Sequence, residues 1–502
     1  MKKIIYTLTT LLFSTGIFAQ DLVDALRYSD YKINGTARST AMGNAFGALG
    51  GDFSVLSTNP AGLGLYRSGE LVFTSNFSKS NAEASYIGST ASDSKYNFSL
   101  NNIGYVATYQ PNNNGESSLV SISFGVGYNK LNNFNKNMLA QGYNSTQSMI
   151  DNIASSSNGI LKEDLYDENH PYDYYDLWDT KMAWETYLID LEDGYNNQYI
   201  PHGLYTGDLV NQRKTTTQRG YINEYLFSLA ANFNHRVYVG ATLGIHDVNY
   251  EESSIYYEFN ANSAFATNEA YMDNFSYYQN LNTAGTGFNI KLGAIFKPTD
   301  NIRLGIAIHS PTFYSLNDKY NYKIASQTEN GFLEEESPHG EYDYHLETPL
   351  RAIFSAAYVI GKKGLVSIDY EVVDYSTAKL RDGGGNYQFT NENNDINEAY
   401  KSVGNLHIGG EYRLTNNFSL RAGYENYPSA FNKNAFNTTQ LNSDADYSSV
   451  SAGLGIKQGN FYIDMAYKHD ISKEYNTLYS GSDFAKFDTT RDNLIMTLGF
   501  KF

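Results

Sequence analysis

The chain has 502 residues, a formal net charge of −18, 45 Tyr, 28 Phe, 42 Gly, 9 Pro and no cysteine. The missing thiols exclude disulfides and cysteine-linked lipids, the acidity argues against nucleic acid as a partner, and no apolar run after residue 19 is long enough for a spanning helix. A soluble β protein and a transmembrane β-barrel remain, because a barrel hides its lipid-facing surface in a period-two pattern. The abundance of tyrosine favours the barrel, whose amphipathic rings gather at the two membrane interfaces.

In chain order, residues 1–19 carry Lys2 and Lys3, an apolar run through Leu11, Leu12, Phe13, Ile17 and Phe18, and the small Ala19. This pattern predicts a cleaved secretory leader. Leu22, Ala25 and Leu26 then fall at the spacing of one helix face. From Gly35 to Leu65 small residues dominate, so short helical turns can pack closely against neighbouring walls. Gly50 and Gly51 permit a sharp stop, and Pro60 fixes a bend while pushing Asn59 out of the α region. We read residues 20–68 as a plug, or hatch, inside a barrel formed by 69–502. Arg38 and Asp52 are charges within this small-residue stretch and need partners, either each other or lumen carboxylates such as Glu224. Asn59 suits an Asx-turn that holds the bend.

The body alternates. SLVSISFGVGYNK places Val120, Ile122, Phe124, Val126 and Tyr128 on one face, opposite Ser121, Ser123, Gly125 and Gly127. The same pattern recurs in Phe288 to Phe296 and in Ile302 to Ile308. Short polar turns at Asn234-His235, 298–301, 361–364, 415–417 and 458–460 mark one end, with long connections at the other. The count is about 14 strands, near 70–78, 95–109, 117–130, 220–233, 236–249, 284–297, 301–313, 345–360, 364–376, 400–414, 417–428, 446–457, 460–471 and 490–502. The fold class is therefore an all-β transmembrane antiparallel barrel with an N-terminal helical plug. Residues 131–219 hold both tryptophans, Trp178 and Trp184, and too much apolar content for a solvated tether, so an external folded cap is expected there. Its acids, among them Asp164, Asp167, Glu168, Asp173, Asp176 and Asp179, do not match an EF-hand loop and read as a solvated rim.

Ala37-Arg38, Met42-Gly43, Ala45-Phe46, Asp52, Ser54 and Asn59-Pro60-Ala61-Gly62-Leu63, in that order ahead of the strands, resemble the plug signature of the FadL/TodX-type outer-membrane transporters of long-chain fatty acids and aromatic hydrocarbons. Ser310-Pro311-Thr312 and Leu420 to Tyr424 are similar to the family's barrel segments, and the aromatic C-terminal residue resembles the signature that the barrel-assembly machinery recognises in outer-membrane proteins. The resemblance implies a monomer in the outer membrane, surrounded by lipid and lipopolysaccharide and inserted by the barrel-assembly machinery. A hydrophobic small molecule would be captured outside, held in an apolar pocket and released sideways through a kink in the third strand. On this basis Arg38, Gly43, Asp52, Asn59, Pro60, Ala61 and Gly62 are hatch and gating candidates. Leu22, Val23, Leu26 and Phe46 are ligand-pocket candidates, although a short helix resting on the barrel explains the first three as well. Ser123, Gly125 and Gly127 either favour the kink or make room for the plug. No cofactor or metal is expected. No G-x-S-x-G, H-E-x-x-H or phosphate loop occurs, which leaves no enzyme reading. The alternative function is a non-transporting scaffold, adhesin or haem-binding surface protein.

Overall fold

Alternation of one lipid-suited and one lumen-suited face turns the body into a closed antiparallel barrel of 14 strands. The computed structural model describes residues 22–502 except 33, 112–117, 145, 167–177, 203–208, 261–271, 329–330, 386 and 434–443. The leader read at 1–19 therefore lies outside the described residues, as do Asp167, Glu168, Asp173 and Asp176.

The strands are β1 (Glu70–Tyr86), β2 (Ser89–Tyr109), β3 (Leu119–Asn133, continued by Lys136–Asn144), β4 (Val210–Phe233), β5 (Val237–Asn260) and β6 (Met272–Phe296). They continue as β7 (Ile302–His309 and Phe313–Thr328), β8 (Gly340–Glu347 and Arg351–Ile360), β9 (Gly364–Asp374 and Lys379–Asp382) and β10 (Ser402–Arg413). β11 (Phe418–Tyr427), β12 (Tyr447–Gln458), β13 (Phe461–Thr477) and β14 (Phe484–Lys501) complete the set. Each pairs with its sequence neighbour, and β14 returns to β1 from Glu70↔Lys501 to Ser85↔Lys486, which leaves no free first or last edge.

The outward side chains form the apolar band: Phe288, Ile290 and Leu292 on β6 and Leu304, Ile306 and Ile308 on β7 are all exposed. Among the described residues no helix is long and apolar enough to cross a membrane, so the crossing is made by strands. At the end holding Phe502 the turns are tight; Asn234 and His235 both have positive φ, the conformation whose twist suits a two-residue hairpin. The opposite end carries most of the longer connections, although Ile87-Gly88 closes the β1–β2 hairpin there in two residues, both at positive φ.

Many strands run beyond the segments read from sequence. β2 begins at Ser89 rather than near 95, and β4 at Val210 rather than near 220. Residues 131–133, 136–144 and 210–219 are thus strands of the barrel sheet at the edge of the 131–219 region. Between them lie a helix over Met149–Ser157, its N-terminus capped by Ser148, and another over Trp178–Glu185 that contains both tryptophans. Trp178 is buried among Tyr320, Tyr322 and the side chains of the first of these helices, so this region packs on the barrel through an aromatic core.

The third strand departs from the wall. Its ladder to β2 runs from Tyr109↔Ile122 to Asn102↔Asn129 and stops, while β1 and β2 remain paired up to Tyr86↔Ser89. A register shift against β4 lies between Lys130 and Asn132, and Phe134 and Asn135 interrupt the strand. Its upper part, paired with β4 from Lys136↔Gln218 to Asn144↔Val210, packs Met138 and Ala140 against Ala82, Ala84 and Tyr86 of the β1–β2 hairpin. A bulge adds local twist and re-aims the chain, and here it carries β3 inside the hairpin. A seam between β2 and β3 without ladder hydrogen bonds results.

Candidate functional site

The site is built from the N-terminal segment upward. α1 (Leu22–Ser29), α2 (Ala37–Ala41), a short helix at Val55–Thr58 and a 3₁₀ turn at Pro60–Leu65 lie in the lumen, in contact with strands all round the barrel. Small residues on both partners allow this closeness. Gly43 sits at φ 59 with the backbone of Tyr424 and Ile408 so near that a Cβ would fall 2.7 Å from the Tyr424 carbonyl oxygen. Opposite it, Gly409 and Gly423 present bare backbone to Met42 and Gly43. Only glycine meets both demands at position 43, positive φ and backbone contact.

Charges fasten the same segment. Arg38 grips Glu411 with two bonds, Nε to Oε2 at 2.9 Å and Nη2 to Oε1 at 3.3 Å, while Glu411 also receives Arg421 at 2.8 Å. Burial works against the Arg38 charge, but the Glu411 and Asp52 carboxylates more than offset it and hold its pKa above the ordinary value. Asp52 accepts hydrogen bonds from the Thr36 hydroxyl and from the amide and hydroxyl of Ser54. The two charges therefore do not form a hydrogen-bonded pair with each other. Glu224 instead meets Lys291 and His246, and accepts from the Ser57 hydroxyl at 2.8 Å. All these barrel partners are buried, where an ion pair is worth keeping only if its remaining lone pairs are also satisfied.

The bend is tied by Asn59. Its amide donates to Gly47 O at 2.6 Å, and more weakly to the wall carbonyls of Ile306 and Ala294, while its oxygen accepts from Ala61 N at 3.1 Å. Pro60 starts the 3₁₀ turn, where a missing N–H costs nothing. Ala61 packs against Tyr238 and Ile295, and Gly62 donates to Asn59 O at 2.9 Å. Arg38, Gly43, Asp52, Asn59, Pro60, Ala61 and Gly62 thus belong to one continuous set of contacts.

Above them α1 is held at its C-terminal end. Arg351 donates to Ser29 O and to Glu371 at 2.7 Å, and its guanidinium stacks 4.1 Å from the Tyr31 ring. A cation at a helix C-terminus also complements the dipole. Two cavities flank this helix. One of about 630 Å³ is bounded by Val23, Leu26, Tyr375, Tyr427, Phe431 and Tyr447. The other, about 410 Å³, is bounded by Val23, Phe134, Met138, Tyr250 and Phe487, with Arg27, Lys214, Glu252 and Glu474 among its polar groups. Val23, 46 % exposed, contributes to both.

The ligand-pocket candidates separate. Val23 and Leu26 line a cavity; Phe46 is fully buried lower down, among Met42, Leu49 and Phe53 and beneath the Arg38 guanidinium. The Leu22 side chain lies outside the described residues. Ser123, Gly125 and Gly127 lie in the part of β3 paired on both sides. There the glycines admit Leu56 and Phe53 of the N-terminal segment, and the unladdered stretch starts above them. Sequence reading missed Glu411, Arg421, Arg351 and Glu371. The signal present was an ionisable residue at a lumen position of an otherwise apolar-outward strand.

The model of the family described as outer membrane protein transport protein (OMPP1/FadL/TodX) matches residues 222–502, more than half of the chain. No curated protein sequence matches. Among solved structures, the Pseudomonas putida toluene transporter TodX superposes with a TM-score of 0.53 at 13% identity, covering 94% of this chain and 99% of its own. A Pseudomonas aeruginosa FadL homologue gives 0.54 at 13% identity, and the Ralstonia pickettii toluene transporter TbuX gives 0.51 at 14%, each over 94% of this chain and 99% of the other. These likenesses agree on the fold, a closed barrel, and the family match over residues 222–502, from within β4 to the C-terminus, makes the chain a member of the OMPP1/FadL/TodX family of outer-membrane transport proteins.

Proposed function

We propose that this protein is a passive outer-membrane channel for hydrophobic molecules, long-chain fatty acids, aromatic hydrocarbons or similar lipophiles, with release sideways into the bilayer. The observation that carries this reading is the aromatic cavity of about 630 Å³ beside Val23 and Leu26, set above a lumen filled by residues 36–66. A greasy solute cannot continue downward through packed backbone. An aqueous exit would also expose its apolar surface at about 25 cal/mol per Å². The seam above Asn102 and Asn129 offers a way out through the wall. In this reading residues 20–68 are the hatch, the arrangement around Asn59 and Pro60 holds it, and the 145–209 region covers the outer mouth. The protein acts as a monomer after delivery by a cleaved leader and insertion by the barrel-assembly machinery, among lipopolysaccharide and lipid.

The test is uptake of labelled palmitate and toluene by cells carrying the wild-type protein or Pro60→Ala at equal surface abundance, with mass spectrometry of lipophiles retained on native extraction. The reading expects retained lipophiles and loss of uptake in the variant. Absence of any bound lipophile together with no uptake of either compound would remove it.

A further inference from the structure

The space immediately behind the β2–β3 seam differs in chemistry from the aromatic cavity. A narrow polar slot of about 70 Å³ is bounded by Asn76 on β1, Ser99 and Asn101 on β2, Lys130 and Asn132 on β3, and Arg491 on β14. A second space of about 210 Å³ shares Asn132, Asn133 and Arg491 with it, and both share Asn132 and Tyr447 with the aromatic cavity. The three spaces thus lie side by side between the aromatic chamber and the seam, and the slot is lined mainly by amides and cations, with Asp470 as its one carboxylate.

Two further observations point to a polar occupant. In the wall of the slot, Asn76 Oδ1 is buried without a hydrogen-bond partner, and further such atoms (Ser80 Oγ, Asn97 Nδ2, both amide atoms of Asn102, and Asn129 Oδ1) lie on the same three strands outside its lining. Buried polar groups normally have partners, so the Asn76 oxygen marks a place that water or a polar ligand fills. The cations are also in excess. Lys130 lies over the Tyr221 ring at 5.8 Å, and Arg491 donates only to the carbonyls of Asn133 and Asn135, each at 3.3 Å. Neither forms an ion pair within 4 Å among the described residues. The carboxylate that lines the slot, Asp470, is taken by Tyr447 at 2.7 Å, Asn493 at 2.8 Å and Lys468 at 3.7 Å.

We propose that this slot is a binding site for the anionic headgroup of an amphiphile, with Lys130 at the seam and Arg491 at its back supplying the charge and Asn101 and Asn132 the hydrogen bonds. The exposed Phe98 and Tyr96 on the outer face of β2 stand at the level of the seam, where an aromatic belt meets lipid headgroups. A head held in the slot leaves its tail in the outer leaflet through the seam. The site takes a carboxylate or a phosphate, from a transported acid or from a membrane lipid. It rests on the seam being an open passage, as the proposed function does, but it concerns only the charge of what occupies it.

The experiment uses the full barrel reconstituted in phosphatidylcholine vesicles and measures retention of dodecyl phosphate, palmitate and dodecanol after washing. The expected result is at least tenfold greater retention of one or both anions than of dodecanol. That preference should fall to under threefold in the Lys130→Gln, Arg491→Gln double variant and be kept in Lys130→Arg, Arg491→Lys. A second arm replaces part of the vesicle lipid with phosphatidylglycerol and asks by native mass spectrometry whether it stays bound; retention assigns the membrane source, and palmitate alone assigns the transported one. Equal retention of anions and dodecanol, or a preference untouched by the double variant, overturns the site. Toluene uptake by the double variant at the wild-type rate separates this outcome from failure of the channel reading, which would abolish it in the wild type too.

Discussion

The lower and upper halves of β3 obey different rules. From Ile122 to Asn129 the strand is paired on both sides, its lumen face is Ser123, Gly125, Gly127 and Asn129, and the N-terminal segment is pressed into the space the two glycines leave. From Lys130 onward it loses its ladder to β2, turns inward, borders cavities and packs on the side chains of the β1–β2 hairpin rather than on the N-terminal segment. Small residues in this wall therefore mark where the lumen is filled, and the opening lies where they end. Close contact stiffens the lower half, because a packed interior yields little.

Five variants test this division, beginning with the largest effect. Gly43→Val places a branched side chain at positive φ against the Tyr424 carbonyl; strain and overpacking together predict a loss of more than about 3 kcal/mol, read as a lower urea midpoint of the folded barrel. Arg38→Ala leaves Glu411 with Arg421 and the more distant Arg413 and is expected to loosen the segment by about 2–3 kcal/mol, less than for an isolated buried pair. Its signature is faster proteolysis within residues 36–66 and a rise in single-channel conductance. An unchanged conductance would place the segment's restraint elsewhere.

Pro60→Ala acts on the bend with little effect on global stability, within about 1 kcal/mol. It should abolish hydrophobic uptake at equal surface abundance. In the upper half, Val23→Trp fills space between both cavities, and a roughly tenfold fall in uptake, equivalent to about 1.4 kcal/mol, is expected with an unaltered urea midpoint. The smallest change is Asn34→Ala. Asn34 donates to Leu131 O at 3.2 Å and so joins the lumen segment to β3 where it turns. Its loss should cost about 1 kcal/mol, seen as faster amide exchange at residues 131–133 with none at 121–129. Equal acceleration in both stretches would erase the distinction between the halves.

Much of the wall was readable in advance because lipid enforces alternation. Phe124 faces out and Ser123 faces in on β3, and likewise Leu494 and Asn493 on β14. The reading faded above the membrane. The start of β2, STASDSKYN, and of β4, VNQRKTTTQR, are polar on both faces once water replaces lipid outside, so nothing periodic distinguished them from loops. The segment from Gly35 to Leu65 announced close packing through its small residues. Its partners were hidden: Arg38 and Glu411 are 373 positions apart, and both lie among other charges of equal promise.

The sequence by itself determined which residues meet lipid, how many times the chain crosses, and that one stretch near its start must lie against other backbone. Each of these depends on local composition and short periods, which a neighbour in the chain is enough to impose. Tertiary structure alone decided where β3 leaves β2, which carboxylate receives Arg38, and that Lys130 and Arg491 share a slot. Those outcomes depend on contacts between strands hundreds of residues apart, fixed only when the barrel closes and every buried charge and ladder bond must find a partner in the same space.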